Sequence, residues 1–190
     1  MTAIQIINRE KLSERKFLLE NVDYKKPDNS GKLIDMKAEV YHRPDAAAVL
    51  LYNAAQQKFL FTKQFRLPTF LNNNETGYLV EACAGLIDEG ETPEYTAIRE
   101  AEEELGCKVT NLKRVGGVYT SAGGITEFVH LFIAPYNDND ERGDGGGLPD
   151  EGEAIQITEM TYEEARDSLR EGKLNDAKTV MLLQYYFLFC

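Results

Sequence analysis

The sequence predicts an α/β fold built on a mixed sheet and preceded by an antiparallel β unit, and three observations lead there. Strand-like segments fill the first half of the chain, and further strands are interspersed with helical segments after residue 93. The run AAAVLLYN (46–53) is apolar throughout, as a strand covered on both faces would be. Residues 1–43 show strand and turn signals but no core of their own, so the expected division is an N-terminal β unit (1–43) and a main domain (44–190).

The elements follow in order. Residues 3–7 and 15–25 read as strands, PDNSGK (27–32) is turn chemistry, and LIDMKAEVYHR (33–43) alternates as a returning strand. AAAVLLYN and KFLFTKQFR (58–66) are strands joined by a short polar turn. A polar loop with Asn72, Asn73 and Asn74 precedes the strand GYLVEACA (77–84). Thr92 suits an N-cap, Pro93 the first helical position and Gly106 a left-handed terminator, which predicts a helix over 93–105. Strands are expected near 112–120 and 125–135. The stretch DNDERGDGGGLPDEGE (138–153) is almost free of apolar residues and is expected to be a mobile loop. Residues 154–160 suit a last strand, TYEEARDSLREG (161–172) an amphipathic helix and AKTVMLLQYYFLFC (177–190) an apolar closing helix.

Composition excludes several functions. The chain has 190 residues and a formal charge of −11, with nothing resembling the basic stripe that nucleic-acid backbones require, so no nucleic-acid partner is expected. No apolar run approaches the roughly 20 residues of a membrane span, and MTAIQIINREKL lacks the long apolar core of a signal peptide; a cytoplasmic protein without a membrane partner is expected. Cys83, Cys107 and Cys190 are odd in number and scattered, against a disulfide framework or a zinc site. His42 and His130 have no carboxylate or serine partner nearby in sequence, and a structural role is favoured for each.

The chemistry concentrates between Gly85 and Cys107. Gly85, Glu91, Arg99, Glu100, Glu103, Glu104 and Gly106 stand at the spacing G-x5-E-x7-R-E-U-x-E-E-x-G-U, which chance produces on the order of once in 10⁸ start positions. On a helix, Glu100, Glu103 and Glu104 occupy i, i+3 and i+4 and converge on one face, while Ala97, Ile98, Ala101 and Leu105 point to the other side. The segment holds eight acids against Arg99 alone, a net −7, and such a cluster repels itself unless a counter-charge arrives. Oxygen ligands without His or Cys suit a hard cation, so magnesium is expected, with manganese as substitute. Arg99 is expected to orient the glutamates, pairing with Glu103 at i+4. The loop 138–153 fails as a calcium loop, with Arg142 and Pro149 at ligand positions, and Gly145, Gly146 and Gly147 fail as a phosphate cradle because no lysine or helix start follows in register.

That spacing is the Nudix box, and the chain is identified as a member of the Nudix hydrolase superfamily. It resembles the nucleoside-diphosphate-sugar pyrophosphatases, most closely the bacterial GDP-mannose pyrophosphatase branch, through EVYHR (39–43), KQFR (63–66), EACAGL (81–86), SAGGITE (121–127), GGGLPDE (145–151) and KTVMLL (178–183). The resemblance implies a Nudix α/β/α sandwich and metal-dependent hydrolysis of a nucleotide sugar, GDP-mannose ahead of ADP-ribose, with a non-catalytic nucleotide-sugar sensor as the alternative class. It implies the Ala84 carbonyl, Glu100 and Glu104 as metal ligands, with Glu103 joining or supporting them. Glu151 resembles a further ligand or the base that deprotonates the attacking water, with Glu153 as its rival and Asp150 at a substrate position. Gly85, Leu86, Arg66, Glu127 and Lys178 match substrate-contacting positions. Lys37, Ala38 and Glu39, with Lys16 and Phe17, match positions reaching the nucleotide from the partner subunit of a homodimer whose N-terminal β unit crosses over. Three residues depart from the branch: Ala122 replaces a common proline, Lys16 stands where an aromatic can sit, and Ala38 where a base can.

Overall fold

The computed structural model describes residues 4–137, 142–148 and 154–190. By its internal contacts the chain forms two compact units, one of residues Met1–Asp45 with Tyr119–Phe128, the other of Ala46–Val118 with Val129–Cys190.

In the first unit β1 (Gln5–Glu14), β2 (Leu18–Pro27) and β3 (Leu33–Tyr41) make an antiparallel three-stranded sheet. Asp28 closes the β2–β3 turn, its carboxylate accepting the N–H groups of Ser30 and Lys32. β1 runs well beyond the expected 3–7. Its second half, NREKLSE, is mostly polar and lies exposed, so no apolar alternation announces it; pairing with β2, through two register shifts, makes it a strand. The returning segment 119–128 joins this unit through a parallel bridge between Tyr41 and Ile125. The strand expected over 125–135 therefore begins only at Phe128.

The second unit holds a seven-stranded mixed sheet. β4 (Ala46–Asn53) and β5 (Lys58–Phe65) form a hairpin that pairs only over its last three positions, Leu51 to Asn53 against Leu60 to Lys58. Beyond them the two strands diverge. The short helix α1 (Leu67–Leu71) follows β5, and the expected strand 77–84 then arrives as two, β6 (Tyr78–Glu81) and β7 (Cys83–Leu86), broken at Ala82. β6 pairs β5 and β7 pairs β4, so this ribbon occupies the gap between the diverging strands. A run that changes partner in mid-course reads as one strand in sequence because no glycine or proline interrupts it between Tyr78 and Ala84. α2 (Pro93–Leu105), β8 (Lys113–Tyr119), β9 (Phe128–Pro135), β10 (Gln156–Thr161), α3 (Tyr162–Arg170) and α4 (Ala177–Phe189) complete the chain. The central strand β4 runs parallel to β9, and β10 lies on the outer edge of β5.

β4 explains the layering. Side chains alternate across a sheet, and here both faces are covered. Ala46, Ala48 and Leu50 pack with Phe59, Phe61 and Leu131 against Leu182, Leu183 and Tyr186 of α4 and Ala165 of α3. Ala47, Val49 and Leu51 pack with Leu60 and Phe132 against Ala97, Ala101 and Leu105 of α2. The result is an α/β/α sandwich, as expected. Each fully buried Leu or Phe contributes about 1.5–3 kcal/mol of transfer free energy. No helix among the described residues is long and apolar enough to cross a membrane.

Candidate active site

The helix that carries the box obeys local rules. Thr92 is extended (φ −96°, ψ 153°) and its hydroxyl accepts the Tyr95 N–H at 3.2 Å; Gly106 ends the helix at φ 66°, in the left-handed region. Ala97, Ala101 and Leu105 are fully buried. The acids do not all stay on the solvent side, however. Glu104 is 1% exposed and Glu100 9%, so these two carboxylates enter the protein beside the β6–β7 ribbon, while Glu103 stays half-exposed.

Two devices make that burial tolerable. The first is backbone complementarity at the ribbon: the Ala84 N–H donates to Glu104 Oε2 at 3.2 Å, and Glu100 lies so close to Gly85 that a Cβ there would meet its Oε1 at 1.7 Å. The glycine is a steric requirement. The second is Arg99, the counter-charge that the self-repelling acids need. Its Nη1 donates to Glu100 and Glu103, each at 2.8 Å, and its Nε and Nη2 donate to Glu91 at 3.1 Å. The expected i+4 pair is present within this larger fork. Arg99 bonding, then the Thr96 hydroxyl at 2.7 Å, hold the Glu91 carboxyl below its usual range. Burial works against the Arg99 charge, but Glu91, Glu100 and Glu103 prevail and raise its pKa.

The donor set fits a hard divalent cation. Glu91, Glu100, Glu103, Glu104 and the Ala84 carbonyl offer oxygen only. The soft donor nearby, Cys83, is fully buried, and burial first and the Glu104 charge second push its thiol well above the usual value. Among the described residues no three acidic, His or Cys side chains already surround one point, because Glu100 and Glu103 meet at Arg99 instead.

A second cluster lies on the same ribbon, and the sequence reading missed its centre. Glu81, 3% exposed, accepts Arg66 Nε on one oxygen at 2.8 Å and Lys178 Nζ on the other at 2.6 Å. Lys178 also donates to Asp176 at 3.0 Å. Asp176 is the N-cap of α4, accepting the Thr179 N–H and hydroxyl, and the Thr179 hydroxyl in turn accepts the Ala82 N–H at 2.7 Å. Burial lowers the Lys178 pKa, but Glu81 and Asp176 outweigh it and the ammonium is held charged. The EACAGL landmark contained Glu81, but its role depends on partners 15 and 97 positions away.

The loop expected to be mobile is anchored where it is described. Gly143 donates its N–H to Gly106 O, Gly146 to Glu104 O and Gly147 to Glu103 O, at 2.9, 2.9 and 3.1 Å. Asp150, Glu151 and Glu153 lie outside the described residues.

The structure thus brings Arg66, Ala84, Gly85, Leu86, Glu100, Glu103, Glu104 and Lys178 into one unit, on or beside the β6–β7 ribbon. Lys16, Phe17, Lys37, Ala38, Glu39 and Glu127 belong to the other. There Phe17 packs edge-on to Tyr41 at 5.9 Å with Arg43 over its ring at 5.5 Å, and Arg43 pairs with Glu127 at 3.0 Å. Lys16 is exposed, 5.8 Å from the Phe17 ring centre. On β3, Lys37 and Glu39 share the exposed face and Ala38 takes the other; Lys37 pairs with Asp23 at 3.0 Å.

Fold and site together define a Nudix hydrolase. The family model described as "NUDIX domain" matches residues 42–183, and the chain belongs to that family, whose hydrolases generally depend on divalent metals. The chain is 44% identical over 182 residues to the GDP-mannose pyrophosphatase of Cronobacter sakazakii, covering 96% of this chain and 94% of that one. The proteins of the same name from Shigella flexneri and Escherichia coli O157:H7 are 41% identical over the same shares. The crystal structure of an ADP compounds hydrolase superposes with a TM-score of 0.73 at 21% identity, over 100% of this chain and 95% of that one, and shows the same fold.

Proposed function

We propose that the protein is a magnesium-dependent homodimer that hydrolyses the diphosphate bridge of a nucleotide sugar, with GDP-mannose as substrate and GMP and mannose 1-phosphate as products. The observation that carries the reading is the intact box, with Glu100 and Glu104 buried beside the β6–β7 ribbon and Arg99 tied to Glu100, in a chain 44% identical to a GDP-mannose pyrophosphatase. Water adds to one phosphorus and the bridging P–O bond breaks, so each product leaves with one phosphate. Glu100, Glu104, Glu103 and the Ala84 carbonyl would hold magnesium, which when bound offsets phosphate charge and raises the acidity of water. Manganese would substitute. Glu151 takes the proton of the attacking water, with Glu153 as the rival base. Arg66 and Lys178 bind the phosphates, where fixed positive charge favours the transition state. Gly85, Leu86, Glu127 and Asp150 contact the substrate, and Lys16, Phe17, Lys37, Ala38 and Glu39 contact the nucleotide from the partner subunit.

We assign the cytoplasm as its compartment, since three cysteines scattered along the chain without disulfide-framework spacing suit a reducing environment. The test is product identification after incubation with GDP-mannose or ADP-ribose, with magnesium or with chelator. Metal-dependent GMP and mannose 1-phosphate, well ahead of AMP, is the expected result. AMP ahead of GMP would make ADP-ribose the substrate, and cleavage of neither would favour a sensor.

A further inference from the structure

We propose that Glu81 is a positioning residue for diphosphate recognition: it anchors Arg66 by the inner edge so that the outer edge of the guanidinium is presented to the phosphates. The inference rests on the substrate class proposed above and adds a residue that none of the site assignments includes.

The geometry is asymmetric. Glu81 has a side chain only 4% exposed, whereas Arg66 remains 39% exposed. Arg66 donates from Nε alone, and among the described residues its Nη1 and Nη2 have no hydrogen-bond partner. A guanidinium held at Nε keeps its two Nη groups side by side, the fork that matches two oxygens of a phosphate. The other Glu81 oxygen is taken by Lys178, which Asp176 shares, so the carboxylate cannot swing away with the arginine. Glu81 also stands three residues before Ala84 on the ribbon that supports Glu100 and Glu104, so the same backbone that places the box acids places the fork.

Charge makes the same point. Arg66 and Lys178 against Glu81 and Asp176 sum to zero, so the net charge of the cluster does not by itself account for phosphate binding by the two cations. What it offers is direction. An exposed arginine tied to a surface acid would lose most of its coupling to solvent and side-chain freedom, whereas here the partner is buried and fixed from two sides.

The test keeps charge constant and moves position. Glu81→Asp retains the carboxylate but shortens it by one methylene, so it can no longer reach Arg66 and Lys178 together. Four proteins are compared: wild type, Glu81→Asp, Arg66→Ala and the double variant. The readouts are KM and kcat with GDP-mannose, and the Kd for GDP in magnesium by calorimetry. Glu81→Asp is expected to raise KM and Kd about tenfold, the scale of one charge-assisted hydrogen bond, with kcat within about threefold of wild type. In the Arg66→Ala background the same change should shift Kd by less than about twofold, because the two residues act as one. A fall in kcat with KM and Kd unchanged would overturn the proposal, as would an equal loss with and without Arg66. Should Glu81→Asp not fold, Arg66→Lys decides: an ammonium can donate to Glu81 and to one phosphate oxygen but cannot present the two parallel N–H groups of the fork, so affinity well below wild type is expected, and wild-type affinity would refute the fork. Failure of wild type to cleave GDP-mannose would sink the substrate reading, while GDP binding would still report on the Glu81–Arg66 coupling.

Discussion

At Gly85 the demand on the sequence is steric, and it can be tested with one methyl group. A Cβ at this position would stand 1.7 Å from Glu100 Oε1 and 2.1 Å from its carboxyl carbon, so Gly85→Ala must displace a carboxylate that Arg99 also holds. Displacing an active-site group by about 1 Å can cost 10²-fold, and a loss of that order in kcat/KM is expected, read by steady-state kinetics beside a magnesium titration. Wild-type activity would remove Glu100 from the machinery. Glu20 supports a prediction of another kind. Arg9, and secondarily His42, hold its carboxyl below the usual value near 4.5. A depressed folded pKa means stability that is present above the unfolded value and lost as pH falls through the folded one. Glu20→Gln should therefore lower Tm at pH 7, and the gap to wild type should close in acid; a gap unchanged at pH 3 would contradict the linkage. Residues of this scale divide sharply in legibility. Gly85, Arg99 and the box glutamates fall within 23 consecutive residues and could be read directly, whereas Glu81 shows its meaning only when residues 66 and 178 fold against it.

The elements repeat that division for the same physical reason. α2 ends where its caps predict, at Pro93 and Leu105, because Thr92, Pro93 and Gly106 act on neighbouring backbone. α4, capped by Asp176, also stays within a residue of its expected bounds. The break at Ala82 and the second half of β1 were not legible, since both depend on which strand lies alongside. The glycine run is the most instructive case. Read as composition, it promised mobility; in the structure its N–H groups satisfy the last carbonyls of α2. Gly145 is at φ +62°, and a Cβ there would lie 2.8 Å from Glu104 O and 3.0 Å from Gly106 N. Gly145→Ala should thus open the clamp. The expected result is faster hydrogen exchange at the Gly146 and Gly147 amides, with kcat reduced about tenfold through lost alignment of Glu103 and Glu104. Exchange at the wild-type rate would show that the glycine is dispensable there.

Over the whole molecule the question is what covers β1. Its sheet has three strands, and in the single chain Ile4, Ile6, Ile7 and Leu12 are 60%, 59%, 57% and 45% exposed. A free strand edge that exposes isoleucines at its start invites association, and natural chains usually blunt such an edge with charge, proline or a covering element. Here Lys11 and Glu14 pair with one another beside Leu12, but the isoleucines at the start of the strand are left uncovered. A second copy of the chain is the cover that the proposed homodimer provides, and it would bring Lys37 and Glu39 to the partner's nucleotide. The prediction is that the protein sediments at twice its 21.5 kDa chain mass, while Ile6→Lys combined with Leu12→Lys sediments at 21.5 kDa with its circular dichroism preserved. Because the nucleotide would be gripped across subunits, that variant should show a raised KM, and wild-type KM should rise on dilution through the dimer dissociation range. A wild-type monomer with full activity would overturn both the dimer and the cross-subunit grip, and would leave the apolar residues of β1 in need of a different partner.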